Sequence, residues 1–168
     1  MQHEDIVKKD DFGRTALHYS VSSPNPAVTR ILLGKDQTLA YLPDKDGRTP
    51  LFIAAALKHR RIVKIILKHC PDCGELRDLK DQNVLQFLMA NRKHSALLKV
   101  TKHPELEGLL NESNGDGNTL LHLAAAAHHI PALAFLLRCE GINLEARNGD
   151  GLTALDLFQQ WEPLSVEV

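Results

Sequence analysis

The sequence predicts an all-α fold, a solenoid of about five stacked helix-turn-helix units whose tips are β-turn fingers. Three observations predict it. Similar segments recur about every 34 residues, Ala and Leu dominate the segments between them, and aromatic residues make up only 5% of the chain. Short Ala- and Leu-rich segments favour helices over strands, and a period of this length is typical of repeat architectures.

A leucine near the start of each predicted inner helix sets the register of the repeat. The steps between these leucines are 34, 34, 36 and 34 residues, at Leu17, Leu51, Leu85, Leu121 and Leu155. We therefore predict a single domain over residues 1–168. Its units lie at approximately 8–42, 43–76, 77–112, 113–146 and 147–162. One unit cannot bury its own apolar face, so the units must stack.

Each regular unit opens with a glycine followed two residues later by a threonine. Gly47 can adopt the left-handed backbone of a tight turn, and Thr49 can cap the helix that follows. The third unit is degenerate, because Asp81 or Gln82 replaces the glycine and Asn83 replaces the threonine. Asn can also cap a helix, so we expect the fold to survive there. The fifth unit is truncated after its first helix.

Two segments carry a family resemblance. "DKDGRTPLFIAA" from Asp44 and "NGDGNTLLHLAA" from Asn114 resemble the ankyrin-repeat pattern D-x-x-G-x-T-P-L-H-x-A-A. The resemblance extends over about residues 8–160 and implies an ankyrin solenoid. The degenerate stretch that begins "CPDCGELRDLKDQNVLQFLMA" is similar to plant ankyrin proteins of the accelerated-cell-death type. That similarity implies a role in plant immunity or stress signalling, with a host or pathogen protein as partner.

Stacked units form an extended concave surface that repeat proteins use for binding. The period places two groups of residues on it, one on the fingers and one on the inner helices. The candidate partner-binding residues are Phe12, Arg14, Lys45, Asp46, Arg48, Leu57, Asn91, Asn118 and Leu152. Large apolar side chains and arginines most often dominate binding energy. Phe12, Leu57 and Leu152 are therefore the expected anchors, and Arg14 and Arg48 the expected polar hot spots.

A second candidate surface is a basic stripe in the turns between paired helices. Its members are Lys58, Arg60, Arg61, Arg92 and Lys93. Two interpretations remain open: an ordinary solvated turn, or a docking stripe for an acidic protein or anionic lipid. No nucleic acid partner is expected, because the net charge is −1 and no aromatic residues alternate with the basic ones.

Other patterns that could carry chemistry give weak signals. "DKDGRT" resembles the start of a calcium loop, but Ile53 stands where a bidentate Glu is needed. Cys70 and Cys73 have CxxC spacing, yet a structural zinc site needs four ligands. A thiol switch at this pair stays a minor hypothesis. No nucleophile, nucleotide-binding or cofactor motif is apparent, so we predict a protein that is not an enzyme and has no cofactor.

The leading functional prediction is a non-catalytic protein-interaction module in the cytoplasm. The chain start, "MQHEDIVKKD", lacks the apolar core of a secretory signal. The alternative is a cytosolic regulatory domain of a multi-span, channel-like membrane protein. Contact with a membrane would then come only through a C-terminal region missing from this chain. The truncated last unit, with Trp161 beside it, also predicts possible self-association through the uncapped C-terminal end.

Overall fold

A computed structural model describes residues 3–160, and every regular element in that range is helical. The α-helices are α1 (His3–Val7), α2 (Ala16–Ser20), α3 (Ala27–Lys35), α4 (Pro50–Ala56), α5 (Arg60–His69), α6 (Val84–Ala90), α7 (His94–Val100), α8 (Leu120–Ala126), α9 (Ile130–Leu136) and α10 (Ala154–Gln159). Three 3₁₀ segments follow α3, α5 and α7, at Gln37–Tyr41, Pro71–Glu75 and Pro104–Asn111. The predicted all-α solenoid is confirmed.

Each unit contributes an inner and an outer helix to the stack. The inner helix α4 packs against its own outer helix α5 and against the inner helices α2 and α6 of the neighbouring units. The outer helix α5 contacts α3 and α7, the outer helices of the neighbouring units. Leu51 and Leu85, two of the leucines that set the register, are completely buried in this core. Leu155 is 61% exposed, because no described unit packs on the far side of α10.

The degenerate third unit keeps its turn and its cap. Asp81 adopts a positive φ of 55°, so it takes the left-handed conformation usually supplied by glycine. The Asn83 side chain accepts hydrogen bonds from the backbone amides of Leu85 and Gln86, each at 3.0 Å. The helix α7 ends before Pro104, and the added residues of this unit lie in the 3₁₀ segment Pro104–Asn111.

The fingers are joined to one another by backbone hydrogen bonds. The amide of Lys45 donates to the carbonyl of Phe12 at 3.0 Å, and the amide of Leu79 donates to that of Asp46 at 3.3 Å. Gly47 has a φ of 77°, and a Cβ there would lie 2.6 Å from the Leu79 amide nitrogen. Glycine is therefore required by the close approach of the next finger as well as by the turn.

The junction between the third and fourth fingers is built differently. Within residues 3–160, no backbone hydrogen bond between fingers occurs at this junction. Instead, Arg77 donates to the carbonyl of Ser113 at 2.8 Å and to the carboxylate of Glu112 at 3.0 Å. The side-chain Nε2 of Gln86 donates to the backbone carbonyl of Glu112 at 2.7 Å. Side chains thus connect the two halves of the array.

Trp161 and the segment after it lie outside the described residues. None of the helices between residues 3 and 160 has the length and apolar character needed to cross a bilayer.

Candidate functional site

A buried histidine at the base of the first finger fixes the geometry of the concave surface. The Nδ1 atom of His18 accepts the backbone N–H of Thr15 at 3.1 Å, and Nε2 lies 3.2 Å from the carbonyl oxygen of Arg48. Since Nδ1 accepts, Nε2 carries the proton and donates to Arg48. Burial lowers the pKa of His18, which favours this neutral form. One side chain therefore links a helix start to the next finger.

The same link recurs with different chemistry in the later units. His122 repeats it, with Nε2 3.0 Å from the carbonyl oxygen of Leu152. Gln86 substitutes for histidine in the third unit: Oε1 accepts from the Asn83 amide at 2.9 Å, and Nε2 reaches the Asn118 carbonyl at 3.3 Å. In the second unit a fully buried Phe52 occupies this position and makes no such bond. His18 and His122 therefore have a structural role at the base of the fingers.

A groove of about 290 Å³ opens on the concave face above these links. Three of the predicted partner-binding residues line it, namely Arg14, Arg48 and Leu57. Leu57 is 47% exposed and is available as an apolar anchor. The structure thus brings together residues from the first and second units that are up to 43 positions apart in sequence.

The groove also contains apolar residues that the sequence analysis missed. Tyr19, Ile53 and Phe87 line it, and Tyr19 is 52% exposed. Each follows directly after the position of the linking side chain, so they are spaced by 34 residues. Leu123 and Leu157 occupy the same repeat position further along the array, and both are partly buried. We call these five residues the concave apolar row. Their common spacing was the signal that could have identified them.

The two candidate arginines are held in different ways. Nε and Nη2 of Arg48 both donate to the Oδ2 atom of Asp44, at 3.1 and 2.9 Å, and Arg48 also pairs with Asp46. Burial pushes the pKa of Asp44 upward, but hydrogen bonds from Arg48 outweigh it and hold the pKa below its usual value. Arg14 lies 5.6 Å from the ring centroid of Phe12, within range of a cation–π interaction.

The other predicted contact residues lie outside the groove. Lys45 and Asp46 are exposed on the second finger. Asn91 is exposed after α6 and donates to the carbonyl of Phe87 at 2.9 Å. The Asn118 amide oxygen accepts a hydrogen bond from the Asn148 side chain at 3.0 Å. Leu152 is half-buried, and its role in binding, like that of the others, stays a prediction.

The basic stripe lies on the turns between inner and outer helices. Its five members are all exposed: Lys58, Arg60, Arg61, Arg92 and Lys93. Lys58 and Arg92 have positive φ values of 63° and 56°, so they occupy equivalent, tightly bent positions. Arg61 differs from the rest, because it also lines a separate groove between the outer helices α3 and α5.

The CxxC pair is buried beside the second 3₁₀ segment. Cys70 is 1% exposed and its thiol donates to the carbonyl of Gln37 at 3.4 Å, while Cys73 is completely buried. Burial raises the pKa of Cys73 to about 12 and also raises that of Cys70. Both thiols are therefore protonated near neutral pH, which makes them poor nucleophiles. No cluster of metal-ligating side chains occurs among residues 3–160.

A third surface lies at the C-terminal end of the described array. An apolar groove of about 810 Å³ lies between α9 and α10. Leu137 and Leu155 on its walls are 60% and 61% exposed. Leu121, the counterpart of Leu155 one unit earlier, is only 5% exposed, because α10 packs against α8. This groove corresponds to the end that the sequence predicts to be uncapped.

Comparison with family models identifies the repeat. One model, described as ankyrin repeats (3 copies), matches residues 1–78, and another, ankyrin repeats (many copies), matches residues 106–158. Together they cover more than half of the chain on either side of the degenerate unit. The chain belongs to the ankyrin-repeat family. Ankyrin repeats in general mediate protein–protein interaction and are not themselves catalytic.

Relatives with ankyrin arrays have diverse overall functions. The chain is 26% identical over 152 residues to a transient receptor potential cation channel subfamily A member 1 homolog of Caenorhabditis elegans, covering 90% of this chain and 12% of the relative. It is 26% identical over 160 residues to the nuclear factor NF-kappa-B p105 subunit of Gallus gallus, covering 92% and 16%. The phosphocholine transferase AnkX of Legionella pneumophila is also 26% identical, over 88% of this chain and 17% of the enzyme. The ankyrin chain thus spans less than a fifth of each of these relatives.

A solved structure supports the ankyrin fold. A chain in the complex of a predatory endopeptidase from Bdellovibrio bacteriovorus with an immunity protein matches with a TM-score of 0.67 and 22% identity. The match covers 92% of this chain and 78% of the other. At this identity the comparison establishes the architecture of the array.

Proposed function

We propose that this ankyrin array is a protein-interaction module that binds its partner along the concave apolar row. The observation that supports it most is the groove lined by Tyr19, Ile53 and Phe87, with Leu57 and Arg14 at its edges. Aromatic side chains and arginine are enriched at binding hot spots. The array presents both in one recess.

The arrangement also indicates what kind of partner surface would fit. The row is apolar over successive units, so the partner supplies a helix or extended segment with apolar residues on one face. Arg48 is already neutralised by Asp44 and Asp46, whereas the buried Nε of Arg14 has no hydrogen-bond partner among residues 3–160. Arg14 as a whole is partly exposed, so a carboxylate on the partner would complement its positive charge.

Site-directed photocrosslinking tests the location. A photoreactive amino acid replaces Leu57 in the groove, and in a matched chain it replaces Ile31, which is similarly exposed but lies on the outer helix α3. We expect a protein from plant extract to crosslink at position 57 and not at 31. The purified partner should then bind the unmodified array.

A variant set supplies the control for this experiment. Tyr19→Ala with Arg14→Ala should weaken binding of the purified partner at least about tenfold, the effect typical of losing one hot spot. Val28→Ala with Ile31→Ala removes exposed apolar surface from α3 and should leave affinity unchanged. If the Tyr19→Ala, Arg14→Ala variant binds the partner with wild-type affinity, the concave groove is not the binding site.

The biological setting proposed for this module is plant immune or stress signalling in the cytoplasm. It rests on the resemblance of the degenerate stretch from Cys70 to accelerated-cell-death-type ankyrin proteins. The partner would be a host or pathogen protein. Identification of the crosslinked protein tests this setting separately from the site, because a partner unrelated to defence would leave the groove intact as the binding surface.

A second candidate function is that of a cytosolic regulatory domain in a channel-like membrane protein. The observation in its favour is the similarity to two cation-channel relatives, at 26% identity in Caenorhabditis elegans and 28% in Drosophila melanogaster. Reading the transcript beyond the codon for Val168 tests it. Several apolar runs of about 20 residues would support this function, and a continuous polar sequence would support the protein-interaction module.

A further inference from the structure

The outer face of the array carries a charge imbalance that the concave site does not use. The outer helices α3, α5 and α7 contain no Asp or Glu, yet the chain as a whole has a net charge of −1. Their cations are Arg30, Lys35, Arg60, Arg61, Lys64, Lys68 and Lys99. Positive charge is therefore concentrated on one side of the molecule.

Part of this charge surrounds a groove between α3 and α5. The groove has a volume of about 610 Å³, and its walls carry Arg30 from one helix and Arg61, Lys64 and Lys68 from the other. All four are exposed. Among residues 3–160, no carboxylate forms an ion pair with any of them. Four cations from two units thus line one recess whose walls, in the described part of the chain, contain no Asp or Glu.

The groove has an apolar component as well. Ile65 lines it and is half-buried. On α3 the positions equivalent to Ile62 and Ile65 are Val28 and Ile31, which are 52% and 58% exposed. Ile65 lines the groove from the side of α5 that faces α3. Its equivalent Ile31 therefore lies on the side of α3 that points away from the groove, and Val28 lies one turn earlier on the same side.

We propose that the groove between α3 and α5 is a second docking site, and that it binds an acidic peptide segment of a partner protein. Unpaired cations on both walls match a run of Asp or Glu, and Ile65 offers contact for one apolar side chain. A helix of nine residues such as α3 is about 14 Å long, so about four extended residues would span it.

A peptide fits this recess better than a membrane surface does. A bilayer presents a broad surface, and membrane-binding helices combine basic residues with apolar ones that insert. Here the apolar residue lies inside the groove, and the exposed Val28 and Ile31 point away from it. Attachment to anionic vesicles is therefore an outcome that would contradict the proposal.

The test uses the full chain and a fluorescent peptide of alternating Glu and Leu, read by anisotropy. The groove variant combines Arg30→Gln, Lys64→Gln and Lys68→Gln. The matched control combines Lys58→Gln, Arg92→Gln and Lys93→Gln, which removes the same charge from the basic stripe. All six positions are exposed, and circular dichroism verifies that both variants are folded.

We expect the groove variant to bind the peptide at least about tenfold more weakly, the control variant to bind within about twofold of wild type, and affinity to fall with added salt. A peptide with Gln in place of Glu should not bind. Equal loss in both variants, binding of the Gln peptide, or absence of binding to the Glu peptide would overturn the proposal. So would binding to phosphatidylserine vesicles that exceeds binding to the peptide. The Tyr19→Ala, Arg14→Ala variant should bind this peptide as tightly as the wild type, so the assay distinguishes the outer groove from the concave site.

Discussion

The Nε2 atom of His122 lies 3.0 Å from the carbonyl oxygen of Leu152, 30 residues further along the chain. Its Nδ1 atom accepts the backbone N–H of Thr119 at 3.2 Å. The imidazole therefore holds the start of α8 and the fifth finger in a fixed relation. Two polar backbone groups depend on one buried ring.

His122→Phe should lower the free energy of unfolding by about 1–3 kcal/mol, because it leaves these backbone groups without their partners. Phe52 occupies the same position in the second unit, so the ring itself can be accommodated by the repeat. Urea denaturation of the variant and the wild type gives the difference. An unchanged midpoint would show that solvent or neighbouring groups replace the histidine.

Thr49→Val should leave stability unchanged or raise it slightly. The Thr49 hydroxyl is buried and has no hydrogen-bond partner in the described part of the chain. Removing an unsatisfied polar atom eliminates its desolvation cost. Thr119→Val is the matched comparison and should cost about 1–2 kcal/mol, because this hydroxyl lies 2.8 Å from His122 Nδ1. Equal changes in the free energy of unfolding for the two variants would show that the two hydroxyls do not differ in their hydrogen bonding.

Gly47→Ala should destabilise the array more than Gly151→Ala. Gly47 and Gly151 have φ values of 77° and 76°. A side chain at either position would therefore cause the same backbone strain. At Gly47 the added Cβ would also meet the Leu79 backbone at 2.6 Å, whereas at Gly151 it meets nothing within 4 Å. We expect about 1 kcal/mol from strain alone at Gly151. A thermal melt that ranks the two variants in the opposite order would refute this account of the fingers.

Stability should fall as the pH drops below about 6.5, the usual histidine pKa. Burial lowers the pKa of His18, and it has the same effect on His94 and His103. Between the folded and unfolded pKa values the unfolded chain binds more protons, so the unfolding free energy is complete above about 6.5 and declines on acidification.

Urea midpoints measured from about pH 7.5 to about pH 5 check this decline. His18→Gln is the informative variant, because Gln86 already fills the same role in the third unit. The variant should show a shallower loss on acidification. A slope identical to that of the wild type would exclude His18 as a contributor.

The junction between the third and fourth fingers should open more readily than the others. Its cross-links come from Arg77 and Gln86 instead of from the backbone. Amide exchange followed by mass spectrometry should therefore show faster exchange at residues 104–113 than in the first two units. Gln86→Leu should accelerate it further. Uniform protection across the array would contradict a weak junction.

The sequence was sufficient for the fold because the repeat constrains it several times over. The spacing of Leu51 and Leu85 sets the register, and Asn83 is a recognisable cap even without its glycine. The concave apolar row was missed because Tyr19, Ile53 and Phe87 differ in chemistry, so only their position relates them. The neutralisation of Arg48 by its own finger depends on side-chain geometry that the pattern does not encode.

The outer groove shows a different limit of sequence reasoning. The absence of acidic residues on α3 and α5 is visible in the sequence, but the facing of Arg30 toward Lys64 and Lys68 depends on how two units stack. Sequence analysis therefore grouped the cations by their place in the turn, as the basic stripe. In the structure, Arg30, Lys64 and Lys68 come together because they lie on the faces of α3 and α5 that border one groove.

The two kinds of junction between fingers differ in how easily a substitution removes their hydrogen bonds. A backbone hydrogen bond such as that from Lys45 to Phe12 persists through nearly any substitution, since every residue except proline carries the donor. The contacts of Arg77, or those of Gln86, are lost when that one residue is substituted. Three of the four finger junctions therefore keep a backbone hydrogen bond through most substitutions. The junction between the third and fourth fingers can instead be altered by a single substitution, so its spacing is open to gradual change in the course of evolution.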